Sequence, residues 1–205
     1  MLDWSRNKAY ARGVPKPSRI QAELQQKRPF RSRTVEAGAA ILRTGDMIRR
    51  HLEMVLEPYG ITWQQYNVLR ILRGAGADGL PTLAIGRRMI EQTPGVTRLV
   101  DRLVTKGLVT RARGALDLRQ VICRITPAGL ELLARTDAPT DQADDFMLSG
   151  LNHEQLGVLV DLLDQVRSVL ASPAALLPAE EAAESSDATR VPHRTPVTPR
   201  GTRAG

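Results

Sequence analysis

The residues best suited to bind a ligand lie between positions 93 and 119, where small polar side chains are mixed with cations. Arginine and lysine pair with phosphate groups, and arginine also donates two hydrogen bonds to a guanine edge. Such side chains are suited to binding a nucleic acid. The stretch does not pair a nucleophile with a base, as an enzymatic reaction would need. The candidate DNA-binding residues are Thr93, Gly95, Thr97, Arg98, Arg102, Lys106, Arg111, Arg113, Asp117 and Arg119.

A helix over positions 93–106 is predicted to carry most of these side chains. Thr93 can cap its first amides, Pro94 suits the first helical position, and Gly107 can end it in left-handed geometry. An apolar stripe at helical spacing lies opposite the polar face, which predicts that one side of this helix is buried. The stripe consists of Val96, Leu99, Val100, Leu103 and Val104.

The flanking sequence predicts elements that would hold this helix in place. One helix covers 35–57, and a second begins at Thr62, where Gln65 completes a capping box. A third, short helix near 81–90 is separated from the central helix by only a few residues, which predicts a helix-turn-helix. Alternation of apolar and polar residues over 108–126, interrupted by a turn, predicts a hairpin.

Two more helices are predicted in the C-terminal half, separated by an acidic loop. Thr126 and Pro127 can open the first, and the loop is placed at the aspartates of 137–145. Asn152 can cap the last helix, over 153–170. Its leucines and valines are spaced three and four apart, which is the spacing of a helix–helix interface.

Charge and composition predict three parts of the chain. Residues 1–34 hold nine lysines and arginines against two acids and are interpreted as a basic flexible arm, whereas 172–205, rich in alanine and proline, are expected to be disordered. The domain between them, 35–171, has sixteen basic and sixteen acidic residues, yet nine basic residues against three acidic ones fall in 80–125. A neutral domain with one positive region is suited to a polyanion.

Other chemistry has less support in the sequence. Cys123 is the single cysteine, so it cannot form an intramolecular disulfide and is expected to be a small buried hydrophobe. His51, His153 and His193 share no ligand spacing, and no metal site, cofactor or enzymatic activity is expected. Neither a membrane-spanning run nor a signal peptide is apparent, which predicts a cytoplasmic protein without a membrane partner.

Three segments resemble the MarR family of winged helix-turn-helix transcription regulators. They are TPGVTRLVDRLVTKGLVTR at 93–111, the D-x-R pattern at 117–119 and RITPAGLELL at 124–133. The resemblance implies a mainly α fold with a small β wing, with the DNA-binding lobe at 62–126. It also implies that the first and last helices of the domain, 35–57 and 153–170, are dimerisation helices.

The same resemblance implies a function and partners. Members of this family are sequence-specific DNA-binding regulators, usually dimeric repressors that bind a pseudo-palindromic operator in double-stranded DNA. The central helix would enter the major groove, and Asp117 would hold Arg119 in a wing that reaches toward the minor groove. Family members commonly respond to a small aromatic ligand in a cleft between the dimer helices and the DNA-binding lobe. Here the cleft would be lined by Trp63, Tyr66, His51 and Arg43.

Two alternatives remain open from the residues alone. Leu118 stands where family members commonly have a second arginine, and Leu116 is apolar as well. A chain with this wing could instead be a small-molecule-sensing or protein-interaction module of the same fold that has lost operator recognition. Trp63 and Tyr66, three residues apart, also fit the alternative of core packing, because large aromatic side chains are commonly buried.

Overall fold

The computed structural model describes residues 18–91, 95–114 and 120–172. Within those residues, no helix combines the length and the apolar character needed to span a lipid bilayer. The chain divides after Leu148 into a first unit, which holds α1 to α6 and the sheet, and a second unit, which begins at Ser149 and holds α7. The helices are α1 (Arg19–Glu23), α2 (Arg33–Leu56), α3 (Trp63–Ala75), α4 (Thr82–Arg88), α5 (Val96–Thr105), α6 (Pro127–Leu148) and α7 (His153–Leu170), and the strands are β1 (Leu80–Pro81), β2 (Val109–Arg113) and β3 (Val121–Ile125).

Helix α3 begins at the predicted capping box and runs through the centre of the core. The Thr62 hydroxyl accepts from the Gln65 amide at 3.2 Å, and the Gln65 side chain accepts from the Thr62 amide at 3.2 Å, so this prediction is confirmed. Three of its aliphatic side chains, Val68, Leu69 and Leu72, are fully buried. Because its start is capped and its apolar face is buried, this helix can position the elements that pack on it.

The sheet has three strands in the order β1-β3-β2, all antiparallel. The predicted hairpin corresponds to β2 and β3, whose register pairs Val109 with Ile125. Strand β1 was not predicted, because two residues are too few to show an alternating pattern. Its approach to β3 requires Gly79, which has φ +67° and where a Cβ atom would lie 2.4 Å from the Cys123 carbonyl oxygen.

Helix α6 is longer than the sequence suggested. The prediction of an acidic loop at 137–145 is wrong, because α6 continues without interruption to Leu148 and contains Pro139. Four residues spaced three and four apart are buried along it, and they extend the helical face through the acidic segment: Leu133, Thr136, Thr140 and Ala143. Burial of this face offsets the cost of about 3 kcal/mol that proline carries in a helix interior.

Helix α5 begins later than predicted. Its N-cap is Gly95, at φ +103° and without a side-chain cap, and Val96 is the first helical residue. Thr93 and Pro94, which were expected to start the helix, lie outside the described residues. The predicted C-terminus is confirmed: Gly107 has φ +71°, and the Leu108 amide donates to the Leu103 carbonyl at 3.0 Å.

The starts of α7 and α1 differ in how completely they are capped. Asn152 caps α7 with a complete capping box, and the predicted extent of this helix is confirmed. At α1, the Ser18 hydroxyl accepts from the Gln21 amide at 3.4 Å, but the Gln21 side chain donates to the Gln26 carbonyl. The capping box that the spacing of Ser18 and Gln21 would allow is therefore only half formed at α1. Residues 18–34 of the predicted arm hold α1 and the start of α2, and residues 1–17 lie outside the described part of the chain.

Candidate nucleic-acid interface

Helix α5 has one buried face and one exposed polar face. Val100 and Leu103 are fully buried in the core, and Leu99 packs against the same cluster. Thr97 and Arg98, near the start of the helix, are exposed, as is Arg102 one turn further on. The apolar stripe thus fixes the rotation of α5, which leaves the polar residues of its first turns available to a ligand.

The segment just after α4 is anchored by α3. The side-chain oxygen of buried Asn67 accepts a hydrogen bond from the Ile90 amide at 3.0 Å, and the Gln64 side chain donates to Glu91 at 3.3 Å. Gly86 allows α4 and α5 to approach closely, since a Cβ atom there would lie 3.3 Å from the Val96 side chain. Asn67 was missed in the sequence, because a single buried amide within a helix produces no recognisable motif.

Lys106 lies at the other end of α5 and is turned toward the scaffold. Its ammonium group donates to the Gly60 carbonyl, just before α3, and lies 3.4 Å from the Gln65 side-chain oxygen. The position of Lys106 as a DNA contact stays a prediction, but in this structure the side chain joins the end of α5 to the start of α3. A cation at a helix C-terminus is also stabilised by the helix dipole.

Arg111 connects the sheet to α5. Its guanidinium donates to the Asp101 carboxylate, which forms an ion pair between β2 and the exposed face of α5. The Arg111 side chain is 26% exposed, and its Nε atom is buried without a hydrogen-bond partner among the described residues. The structure therefore places Arg111 as part of the support of the wing.

The remaining predicted site residues divide between described and undescribed positions. Arg113, at the end of β2, is exposed. Thr93, Asp117 and Arg119 lie outside the described residues, and the wing tip with them. Arg87 and Arg88, which were counted in the basic region but not assigned to the site, are exposed at the end of α4. The first helix of a helix-turn-helix crosses the DNA backbone, so these two arginines extend the candidate interface.

The four predicted ligand-binding residues do not share one cavity. Arg43 and His51 line a cavity of about 710 Å³ formed by α1, α2 and the end of α6. Tyr66 is only 1% exposed and shares a 2.8 Å hydrogen bond with Thr140, while Trp63 lies beside it with ring centroids 5.8 Å apart. The two aromatic residues thus belong to the core, as the alternative interpretation expected, and a ligand role for the set stays a prediction.

A different cleft lies between α2 and the helices α3 and α5. It has a volume of about 1000 Å³, and its walls come from the second half of α2, the start of α3 and the end of α5. Arg102 and Lys106 of α5 contribute to it. Its lining residues are Arg50, Glu53, Met54, Glu57, Gly60, Ile61, Thr62, Gln65, Arg102, Thr105 and Lys106.

Among the groups outside the interface, Arg73 and Asp144 have pKa values that differ from their usual ones. Asp137 accepts a 2.6 Å hydrogen bond from Arg73 and thereby raises the pKa of that arginine. This ion pair joins α3 to α6. Burial raises the pKa of Asp144, and the neighbouring Asp141 adds to this effect.

Cys123 is fully buried, 3.6 Å from the Thr82 hydroxyl. In the described part of the chain, no three His, Cys, Asp or Glu side chains form a group that could hold a metal ion.

A helix-turn-helix followed by a β hairpin, with an exposed basic face on the second helix, defines a winged helix-turn-helix protein. The family model for the MarR family matches residues 59–120. The transcriptional regulator FarR of Neisseria gonorrhoeae is 24% identical over 141 residues, which are 69% of this chain and 95% of FarR. Both matches contain the helix-turn-helix.

Two solved structures agree with these matches. The MarR transcription factor of Planctomyces limnophilus is 36% identical, with 66% of this chain and 98% of that one covered, at a TM-score of 0.52. A MarR mutant of E. coli, solved with operator DNA, is 24% identical, with 65% and 94% covered, at a TM-score of 0.59. The chain belongs to the MarR family, which is a family of transcription regulators and not of enzymes.

Proposed function

We propose that this regulator binds a pseudo-palindromic operator in double-stranded DNA as a homodimer and represses transcription there. The observation that carries the proposal is the first half of α5, where Thr97, Arg98 and Arg102 are exposed on a helix whose opposite face is buried. Arginine at the start of a recognition helix can reach base edges in the major groove. The E. coli MarR mutant that shares this fold was solved with operator DNA, which supports the same use of the helix.

The two-fold symmetry of the proposed complex is supported by α7. Three of its apolar side chains, Val158, Leu162 and Val169, are between 51% and 68% exposed. Contiguous apolar side chains of this kind mark a surface that another chain covers. A two-fold dimer would present two recognition helices to half-sites about 10 bp apart, one turn of DNA.

The test of this function is selection of bound DNA from a random pool, followed by binding measurements with Arg98→Ala. We expect two related half-sites about 10 bp apart. Removal of the Arg98 guanidinium should weaken operator binding by about 1–3 kcal/mol and relax the sequence preference at one position of each half-site. Fluorescence anisotropy with operator and with random duplexes measures both effects.

Arg135→Ala is the matched control, because Arg135 is also an exposed helical arginine but lies on α6. It should leave operator affinity unchanged. If Arg98→Ala binds operator and random DNA as the wild type does, α5 is not the reading helix. If the wild-type dimer binds no DNA even at low salt, the sensing or interaction module becomes the better description.

We propose further that a small aromatic acid releases the DNA by binding in the cleft between α2 and α5. The cleft combines apolar side chains, including Met54 and Ile61, with the cations of Arg102 and Lys106. Arg102 also lies on the exposed face of α5. A carboxylate that pairs with Arg102 in the cleft would therefore compete with a DNA phosphate for the same guanidinium.

Benzoate is a suitable probe of this release. Millimolar benzoate should dissociate the operator complex, whereas acetate at equal ionic strength should not, because acetate lacks the apolar ring. Met54→Trp should fill the cleft and abolish the benzoate effect, while operator binding without benzoate stays as in the wild type. Equal dissociation by benzoate in the wild type and in Met54→Trp would place the ligand elsewhere.

A further inference from the structure

The ion pair between Asp101 and Arg111 lies where the DNA is proposed to bind. Asp101 is the only acidic residue of α5, and its side chain is 51% exposed on the same face as Arg98 and Arg102. Arg111 reaches it from the middle of β2, where it pairs in register with Cys123 of β3. The contact therefore joins the recognition helix to the base of the wing.

The Asp101 carboxylate opposes DNA binding unless it is paired with a protein cation. DNA phosphates repel a carboxylate. In contrast, each protein cation that pairs with a phosphate strengthens binding to any DNA sequence, because counterions are released. Arg111 would be such a cation if it were free. In the ion pair its charge is neutralised through Nη1, and its buried Nε atom has no hydrogen-bond partner among the described residues.

We propose that Asp101 determines specificity as a positioning residue that acts through Arg111. By holding the guanidinium, Asp101 withholds one cation from the phosphates of random DNA and fixes the base of the wing against the recognition helix. Contacts with phosphate position a protein without reading sequence, whereas base contacts discriminate. A freed Arg111 would strengthen binding to any sequence, whereas a wing fixed against the recognition helix favours only the operator complex. The pair thus raises the ratio of operator affinity to random affinity. This inference rests on the DNA-binding function proposed above.

The test compares Asp101→Asn with the wild-type protein on the operator and on a random duplex over a range of salt concentrations. Release of Arg111 should raise the affinity for random DNA by about threefold to tenfold and steepen the slope of log K against log salt by about 0.9, as expected for one added phosphate contact. The ratio of operator affinity to random affinity should fall by about threefold or more. Asp101→Glu should retain the wild-type ratio, because it keeps the carboxylate.

A double variant separates action through Arg111 from simple repulsion of DNA by Asp101. Asp101→Asn combined with Arg111→Gln should return the random-DNA affinity and the salt slope to wild-type values, since the released cation is then absent. Glu131→Gln on α6 is the matched charge control and should change neither quantity. Thermal unfolding shows that each variant is folded, and Asp101→Ser replaces Asp101→Asn if the latter is unstable.

The outcomes are distinguishable. If the double variant binds random DNA as tightly as Asp101→Asn does, the aspartate acts by direct repulsion and the proposal is overturned. If Asp101→Asn leaves the ratio and the slope unchanged while the wild type still prefers its operator, this inference fails and the proposed function stands. If the wild type shows no preference for any selected sequence, the proposed function itself fails.

Discussion

Leu103→Ala should lower the free energy of unfolding by about 2–5 kcal/mol, because it removes a fully buried side chain and leaves a cavity behind it. Leu103 lies in the last half of α5, and its carbonyl accepts the hydrogen bond that closes the helix at Leu108. The shorter alanine side chain cannot replace the apolar contacts that the leucine side chain makes. Urea denaturation followed by circular dichroism measures the change, through a lower midpoint at an unchanged slope.

Val104→Ala is the matched control for this prediction. Val104 is the next residue of the same helix but is 37% exposed, so its truncation should lower the free energy of unfolding by less than about 1 kcal/mol. Similar losses for the two variants would show that α5 does not pack on the core as described. The comparison tests the rotation of the recognition helix independently of any DNA measurement.

Gly129→Ala should lower the free energy of unfolding by about 1–3 kcal/mol or more, although alanine is the better helix former. A Cβ atom at this position in α6 would lie 2.5 Å from the Leu108 carbonyl oxygen and 2.7 Å from the Ile125 side chain. The first of these neighbours is backbone, so the clash can be relieved only if α6 moves away from the sheet. Thermal or urea unfolding of the variant gives the loss directly.

Gly45→Ala provides the opposite expectation within the same unit. Gly45 lies in the middle of α2, and a Cβ atom added there would meet nothing within 4 Å. The substitution should raise the free energy of unfolding by about 0.5–1 kcal/mol, since alanine loses less backbone entropy in a helix. A loss at Gly45 as large as that at Gly129 would contradict the packing described for α6.

Most features that depend on neighbouring residues were predictable from the sequence. The capping boxes at Thr62 and Asn152 join residues three apart, and the end of α5 at Gly107 involves contacts within five residues. The apolar stripe of α5 likewise needs only the helical repeat. Local chemistry therefore predicted the recognition helix, its C-terminus and the starts of α3 and α7.

Features that depend on distant residues were not predictable in the same way. Strand β1 forms only because Leu80 meets Cys123, and the acidic part of α6 is helical because its other face is buried. Pro139 and the aspartates around it indicate a loop when only local preferences are considered. In both cases tertiary packing decided the structure.

The candidate site shows the same division. Thr97, Arg98 and Arg102 are exposed as the helical pattern predicted, because their exposure follows from the rotation of α5. The partners of Lys106 and Arg111 follow instead from how separate elements meet: Gly60 precedes Lys106 by 46 residues, and Asp101 lies on a helix while Arg111 lies on a strand. Sequence spacing alone could not assign those pairs.

The links from α3 to the two helices of the helix-turn-helix have a mechanical consequence. Asn67 of α3 accepts from the Ile90 amide just after α4, and Lys106 joins the end of α5 to Gly60, shortly before α3. Helices α4 and α5 are thus each tied to α3 by a hydrogen bond. In the proposed dimer, a change in the distance between the two recognition helices would therefore require α3, α4 and α5 to move together as a rigid body, with the bending confined to the chain segments outside them.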